Sequence, residues 1–296
     1  MTAISRGKTA QPVPGVAFPF RSPESRQEII DFYDTIVAQW PVPCRLRQTP
    51  TRFGTAAAIE WGREDAPALI LLHGSSSNAA SWIGDAAAYG ADHHVFALDL
   101  PGDCGRSDPQ RPALEGGAYA DWLEDALDGL IPADAGIRLI GLSLGGWVAM
   151  QYASRHADRV ERLGLFCPAG LGPTKRGFLL SVILYSLQGE RGQRRLIRRM
   201  AGGTPVPEAF IDYMVTIMRS FQPITSPIPL VPDEALKALS MPILLVLGGR
   251  DTLLDSDASR RRAEQAMPTA TLLWLPEASH MLVNRVADMV PFLTGR

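Results

Sequence analysis

The pentapeptide Gly141-Leu142-Ser143-Leu144-Gly145 joins the apolar run Ile137-Arg138-Leu139-Ile140 to the apolar-periodic segment Gly146-Trp147-Val148-Ala149-Met150. A G-x-S-x-G placed between a strand and a helix is the nucleophile-elbow pattern. Its glycines permit a turn so sharp that the serine hydroxyl projects from it, clear of the backbone. Few motifs restrict a fold so much, because this one demands a strand on one side and a helix on the other.

Two further candidates follow in the chain order that the elbow predicts, Ser then acid then His. Ala68 to Leu72 is a continuous apolar run, as expected of a buried parallel strand, and it ends in His73-Gly74-Ser75-Ser76. Pro242 to Leu247 is a second run, ending in Gly248-Gly249-Arg250-Asp251, and Ala270 to Leu275 leads into Pro276-Glu277-Ala278-Ser279-His280. Each candidate sits just past the carboxyl end of an expected strand, where open α/β sheets place their chemistry. The inferred catalytic residues are Ser143, Asp251 and His280. Asp255 is the alternative acid, but Asp251 stands directly after the Gly-Gly-Arg turn.

A serine hydroxyl is a poor nucleophile at neutral pH and needs an adjacent base as it attacks. Among the five histidines, His280 suits that role. His73 belongs to the turn after a strand, His93 and His94 start a strand, and His156 ends the helix after the elbow. Asp251 would accept the other ring N–H of His280, fixing its tautomer and stabilising the imidazolium. A tetrahedral intermediate also needs preorganised donors, and the backbone N–H of Leu144, at a helix start, is well placed to be one.

The rest of the chain reads as an alternating α/β domain. Residues 1–22 are expected to be a Pro-rich, flexible lead-in, and Glu24 to Gln39 a helix. Cys44 to Gly62 alternates enough to be two antiparallel edge strands. Runs near 68–72, 93–99, 137–142, 160–167, 241–247 and 270–275 are expected parallel strands, with helices near 117–130 and 144–156 among their connectors. That is a doubly wound, mostly parallel sheet. The alternation breaks over 171–239, where apolar residues take helical spacing and prolines cluster. This stretch reads as a helical cap inserted into a core of 23–170 and 240–296. Trp82, Phe178, Tyr185, Met214 and Met218 are candidates to line a substrate pocket, packing of cap on core being the alternative for the cap residues. The run Arg191, Arg194, Arg195, Arg198 and Arg199 reads as a solvated face, as does Arg260-Arg261-Arg262.

Composition narrows the function classes. A net charge of −2 over 296 residues gives no global field for nucleic acid or an anionic membrane. Three cysteines, without a C-x-x-C, argue against a disulfide framework or zinc site and fit a reducing compartment. Cys104 reads as an incidental buried or loop thiol. Residues 1–22 contain Lys8, Pro12 and Pro14 and no apolar core segment, so a signal peptide is not expected, nor is a membrane span, since no apolar stretch is long enough. The expectation is a cytoplasmic monomer or homodimer acting on a small molecule, without metal or organic cofactor.

From about Thr51 to its end the chain resembles the α/β-hydrolase family. The landmarks are His73-Gly74, Asp99-Leu100-Pro101-Gly102 with Gly105-Arg106-Ser107, the elbow, Gly248 to Asp251, and Ser279-His280. Phe32-Tyr33-Asp34, Trp40-Pro41 and Thr51-Arg52-Phe53-Gly54 resemble the N-terminal segment of bacterial carboxylesterases of the carboxylesterase NP type. The resemblance implies ester hydrolysis through an acyl-enzyme, with the N–H of Ser75 as the second oxyanion donor. Haloalkane dehalogenases and most epoxide hydrolases of this fold carry aspartate where Ser143 stands. Meta-cleavage hydrolases usually carry a glycine-rich turn where this chain has Ser75-Ser76-Ser77-Asn78. A C–C, thioester or lactone hydrolase on the same residues is the alternative enzyme, and a slow-turnover ligand sensor the alternative of another class.

Overall fold

The computed structural model describes residues 18–175, 177, 181–182, 184–185, 187–202, 205–282 and 285–295. Their strands are β1 (Cys44–Thr51), β2 (Gly54–Gly62), β3 (Ala68–Leu72), β4 (His94–Leu98), β5 (Ile137–Leu142), β6 (Val160–Phe166), β7 (Ile243–Gly248) and β8 (Ala270–Leu275). They form one sheet in the order β1-β2-β4-β3-β5-β6-β7-β8. β2 is antiparallel to both β1 and β4, and every pair from β4 to β8 is parallel. The helices are α1 (Pro23–Val37), α2 (Ala86–Asp92), α3 (Ala118–Leu130), α4 (Leu144–Arg155), α5 (Gly189–Met200), α6 (Glu208–Ser220), α7 (Asp233–Lys237), α8 (Ser256–Ala266) and α9 (Val286–Thr294).

Two apolar layers sandwich the sheet, and strand periodicity assigns each side chain to one of them. Ile70, Leu72, Phe96 and Leu98 face the layer that holds α3, α4, α7 and α8, with Trp122, Trp147, Leu236 and Ala263 in it. Leu69, Leu71, Val95 and Ala97 face the opposite layer, with Tyr89 of α2 and Met289 and Leu293 of α9. Both faces of the central strands are therefore covered, which is why they read as unbroken apolar runs. The pairings Leu72↔Leu98, Leu72↔Gly141, Leu142↔Phe166 and Phe166↔Val246 align the carboxyl ends of β3 to β7 along one edge.

Three expectations are corrected by the packing. Phe18 to Ser22 are not a loose leader: Phe20 is buried and bridges to Phe221, and Arg21 N–H donates to Ser220 O at 3.0 Å. Ser22 then caps α1, accepting from Ser25 N–H at 3.1 Å. Residues 1–17 lie outside those described. Second, the inserted stretch does not stay above the core as far as residue 239, since Val231, Leu236 and Leu239 belong to the sheet layer with α4 and α8. Third, Arg262 does not face solvent. Its guanidinium donates to the carbonyls of Gly170 (3.1 Å), Leu171 (3.3 Å) and Val231 and pairs with Asp233.

Arg262 thus ties the two ends of the insertion together where each leaves the core. Removing it strands buried carbonyls, so Arg262→Ala should lower the unfolding free energy by about 2–3 kcal/mol in urea denaturation. Arg262→Lys, which cannot fork to several acceptors at once, should recover less than half of that.

Candidate active site

Ser143 sits between β5 and α4 with φ 51° and ψ −110°, a left-handed backbone that a non-glycine residue adopts only at a cost of about 1–3 kcal/mol. Neighbouring hydrogen bonds hold it there. Its N–H donates to Phe166 O at 2.9 Å, and its carbonyl accepts from Ala169 (2.9 Å) and Trp147 (3.1 Å). The flanking glycines are a steric requirement. A Cβ on Gly141 would lie 2.4 Å from Gly145 O, and one on Gly145 would lie 2.3 Å from Leu72 O.

The sequence-predicted acid and base meet directly. Asp251, past β7, and His280, past β8, are both buried, and His280 Nδ1 lies 2.7 Å from Asp251 Oδ2. The other oxygen, Oδ1, accepts from the N–H groups of Leu253 (2.7 Å) and Leu254 (2.9 Å). Burial pushes the Asp251 carboxyl up, but the His280 ring and those two N–H groups outweigh it and hold it below the usual range. The acid therefore stays ionised opposite the ring N–H. The alternative acid, Asp255, is spent elsewhere: it caps α8, accepting from Ala258 N–H at 3.0 Å.

The turn after β3 lies against the elbow. A Cβ on Gly74 would be 3.5 Å from Ser143 Cβ, and Gly145 N–H donates to His73 O at 3.1 Å. Neither Ser75 N–H nor Leu144 N–H donates to an acceptor among the described residues. His73 is fully buried, with Nδ1 2.8 Å from Gly74 O and Nε2 accepting from Leu100 N–H at 2.9 Å. Both ring nitrogens are occupied, and burial pushes the ring down to about 4, so His73 is a neutral pin.

The loop after β4 braces the same turn. Asp99 accepts from Ala79 N–H (2.7 Å) and Arg106 N–H (2.8 Å), and burial still lifts it to about 6. Asn78 donates to Cys104 O at 2.9 Å and to the Tyr213 hydroxyl of α6. Cys104 is fully buried and its thiol pushed well up by burial, so it has the inert character the sequence suggested. Sequence reading missed Cys167, past β6. It is buried with φ 39°, and its Sγ groups with donor atoms of Asp251 and His280 within 4.8 Å of one another. Burial and the Asp251 charge push that thiol up, away from the thiolate a metal ion needs, and Asp251 Oδ2 is already engaged by His280.

The pocket candidates separate. Met218 lines a cleft of about 890 Å³ with Ser76, Arg111, Leu114, Phe221 and Ile224. Met214 packs against the buried Tyr213 and Ile211 groups, and Trp82 lies in the core edge-on to Tyr89. Tyr185 is half-buried four residues before α5, where its carbonyl accepts from Gln188 N–H, and Phe178 lies outside the described residues. The arginine run is a solvated face, with Arg191, Arg195, Arg198 and Arg199 exposed and Arg194 half-buried. Arg194 pairs with Glu190, Glu208 and Asp212, and Arg198 with Glu208, riveting α5 to α6.

Residues 69–290 match the alpha/beta hydrolase family. The chain belongs to that family. It is 29% identical to carboxylesterase YbfK of Bacillus subtilis over 273 residues, 89% of this chain and 90% of the relative. It is 30% identical over 275 residues to the uncharacterized carboxylesterase nap of the same organism, covering 88% and 89%. The crystal structure of naproxen esterase (carboxylesterase NP) from Bacillus subtilis superimposes with a TM-score of 0.80 at 25% identity, over 93% of this chain and 99% of that one. The resemblance to bacterial carboxylesterases thus extends over nearly the whole hydrolase chain. Among its described residues no helix is long and apolar enough to cross a membrane.

His73 supplies a pH signature of this site. Its folded value of about 4 lies below the unfolded one, near 6.5. Its contribution to stability is therefore complete above about pH 6.5 and is lost as the pH falls toward 4. The stability difference between wild type and His73→Gln should shrink by roughly 3 kcal/mol between pH 7 and pH 4, read by urea denaturation at each pH.

Proposed function

We propose that this protein is a carboxylesterase-type serine hydrolase working through an acyl-enzyme. The observation that carries the reading is the buried Asp251–His280 hydrogen bond on the same sheet edge as the left-handed Ser143. With Nδ1–H held by Asp251, His280 keeps Nε2 free to take the proton of the Ser143 hydroxyl as its oxygen attacks the ester carbonyl. The tetrahedral oxyanion is received by the N–H groups of Leu144 and Ser75, neither of which donates to an acceptor among the described residues. Collapse expels the alcohol, protonated by His280, and leaves Ser143 acylated. Water, deprotonated by the same ring, then releases the acid.

The similarity to carboxylesterases over nine-tenths of both chains supports ester rather than C–C or lactone chemistry. The stretch from Leu171 to about Leu230 acts as the cap, limiting water and shaping the substrate space. The cleft lined by Leu114, Met218, Phe221 and Ile224 would take the apolar part of the ester.

Hydrolysis of p-nitrophenyl esters from acetate to decanoate tests this reading. Multiple turnovers are expected, with Ser143→Ala losing at least about 10³-fold in kcat. Asp251→Asn should lose about 10³–10⁴-fold with KM little changed, because the amide favours the wrong His280 tautomer. No turnover on any ester by the folded wild type would overturn the assignment.

A further inference from the structure

Ser76, directly after the Ser75 donor, is one of three described non-glycine residues with a left-handed backbone, at φ 58°. A conformation of that kind persists only where the surroundings impose it. Upstream, the turn is pinned through His73, which accepts from Leu100 and contacts the Gly74 carbonyl. Downstream, a single carboxylate holds the Ser76 backbone. Asp103, 4% exposed, accepts from Ser76 N–H at 3.2 Å through Oδ2 and from its neighbour Cys104 N–H at 2.9 Å through Oδ1. The loop after β4 is thus a brace, and Asp103 is its contact nearest to the donor.

We infer that Asp103 is a positioning residue that aims the Ser75 N–H at the oxyanion by holding Ser76 in its left-handed conformation. The inference rests on the esterase reading above. Asp103 itself has no part in bond making. An ionised carboxylate accepts a backbone N–H about twice as strongly as a neutral group does, so the brace is firmest when Asp103 is charged. The groups facing it are Cys104 and Arg111 of its own loop, Tyr119 of α3, Tyr213 of α6 and, through Cys104, Asp99. Burial pushes its carboxyl up to about 7, while the Cys104 groups, the Arg111 charge and Ser76 N–H hold it from rising further. The brace therefore loosens as the pH falls through neutrality.

The sign of the stability effect is opposite, which separates positioning from simple folding. A carboxyl raised in the folded state contributes stability below its unfolded value, and that contribution is lost as the pH rises through about 7. Asp103→Asn keeps one acceptor in place of two but has no charge to bury, so at pH 8 it should unfold about as easily as wild type. It should nevertheless lose about tenfold in kcat with KM changed less than about twofold, and Asp103→Ala should lose more. Wild-type kcat should show an ionisation near pH 7, beyond that of His280, which the Asn variant lacks.

The experiment pairs kcat and pH profiles on p-nitrophenyl butyrate with thermal unfolding and fluorophosphonate labelling of Ser143. Wild type that is not labelled would undo the esterase reading itself. Labelled wild type, with Asp103→Asn keeping full kcat and an unchanged pH profile, would overturn this inference alone. So would a kcat loss that merely follows the loss of folded protein.

Discussion

The left-handed turn at Ser143 is the constraint around which the fold is arranged. A parallel strand can deliver a serine side chain to open space only if the chain reverses at once into a helix, and that reversal brings backbone against backbone. Gly141 and Gly145 permit the contact, and β3 and β6 supply the partners that hold it. The turn therefore cannot form without the central sheet in register. All three described non-glycine residues with a left-handed backbone, Ser76, Ser143 and Cys167, lie just past the carboxyl ends of β3, β5 and β6. Among the described residues, the left-handed non-glycine backbone is confined to one edge, the edge that also carries the Asp251–His280 pair.

Burial alone does not decide the charge of the acids and histidines near that edge. Asp251 is as buried as Asp99 and Asp103, yet its carboxyl is held low while theirs are pushed up to about 6 and about 7. The difference is a ring partner: Asp251 faces His280 and two N–H groups at once. His73 shows the converse. Both of its nitrogens are consumed by backbone groups, so burial keeps it neutral and removes it from proton transfer. Similar residue types thus end in different charge states according to what each ring or carboxylate can reach.

Most of the sheet was legible because its strands are covered on both faces and stand out as apolar runs. The elements that escaped notice lack that signal. In α8, Ser256–Ala266, most residues are polar or charged, and Ser259, Ala263 and Ala266 are buried small residues rather than an apolar stripe. The short α2 is built from four alanines, a glycine, a single tyrosine and Asp92, and it forms because Ala86 and Tyr89 close the layer under β2. Among candidate site residues, Ser143, Asp251 and His280 were readable because each follows a strand at a fixed place. Asp103 and Cys167 were not. Their surroundings come from contacts between loops distant in sequence, which no spacing encodes. Arg262 misled for the same reason: a run of three arginines looks solvated until the chain folds carbonyls around one of them.

The same non-local contacts join the inserted helices to the edge that carries the Asp251–His280 pair. At the C-terminal end of α5, Met200 O accepts from the Ser279 hydroxyl at 2.7 Å, and a Cβ on Gly202 would lie 2.4 Å from Ser279 Cβ. The residue before His280 is therefore a docking point for the insertion. On the other side, α6 is held by α1 and its lead-in, with Tyr213 stacked on Phe32, Glu28 paired with Arg219, and Phe20 against Phe221. Tyr213 also accepts from Asn78, next to the turn that carries Ser75. The insertion thus touches the loop that carries His280 at one end and the turn that carries Ser75 at the other. Displacing it would break a hydrogen bond beside each, so the covering of this site and the alignment of its groups are physically one arrangement.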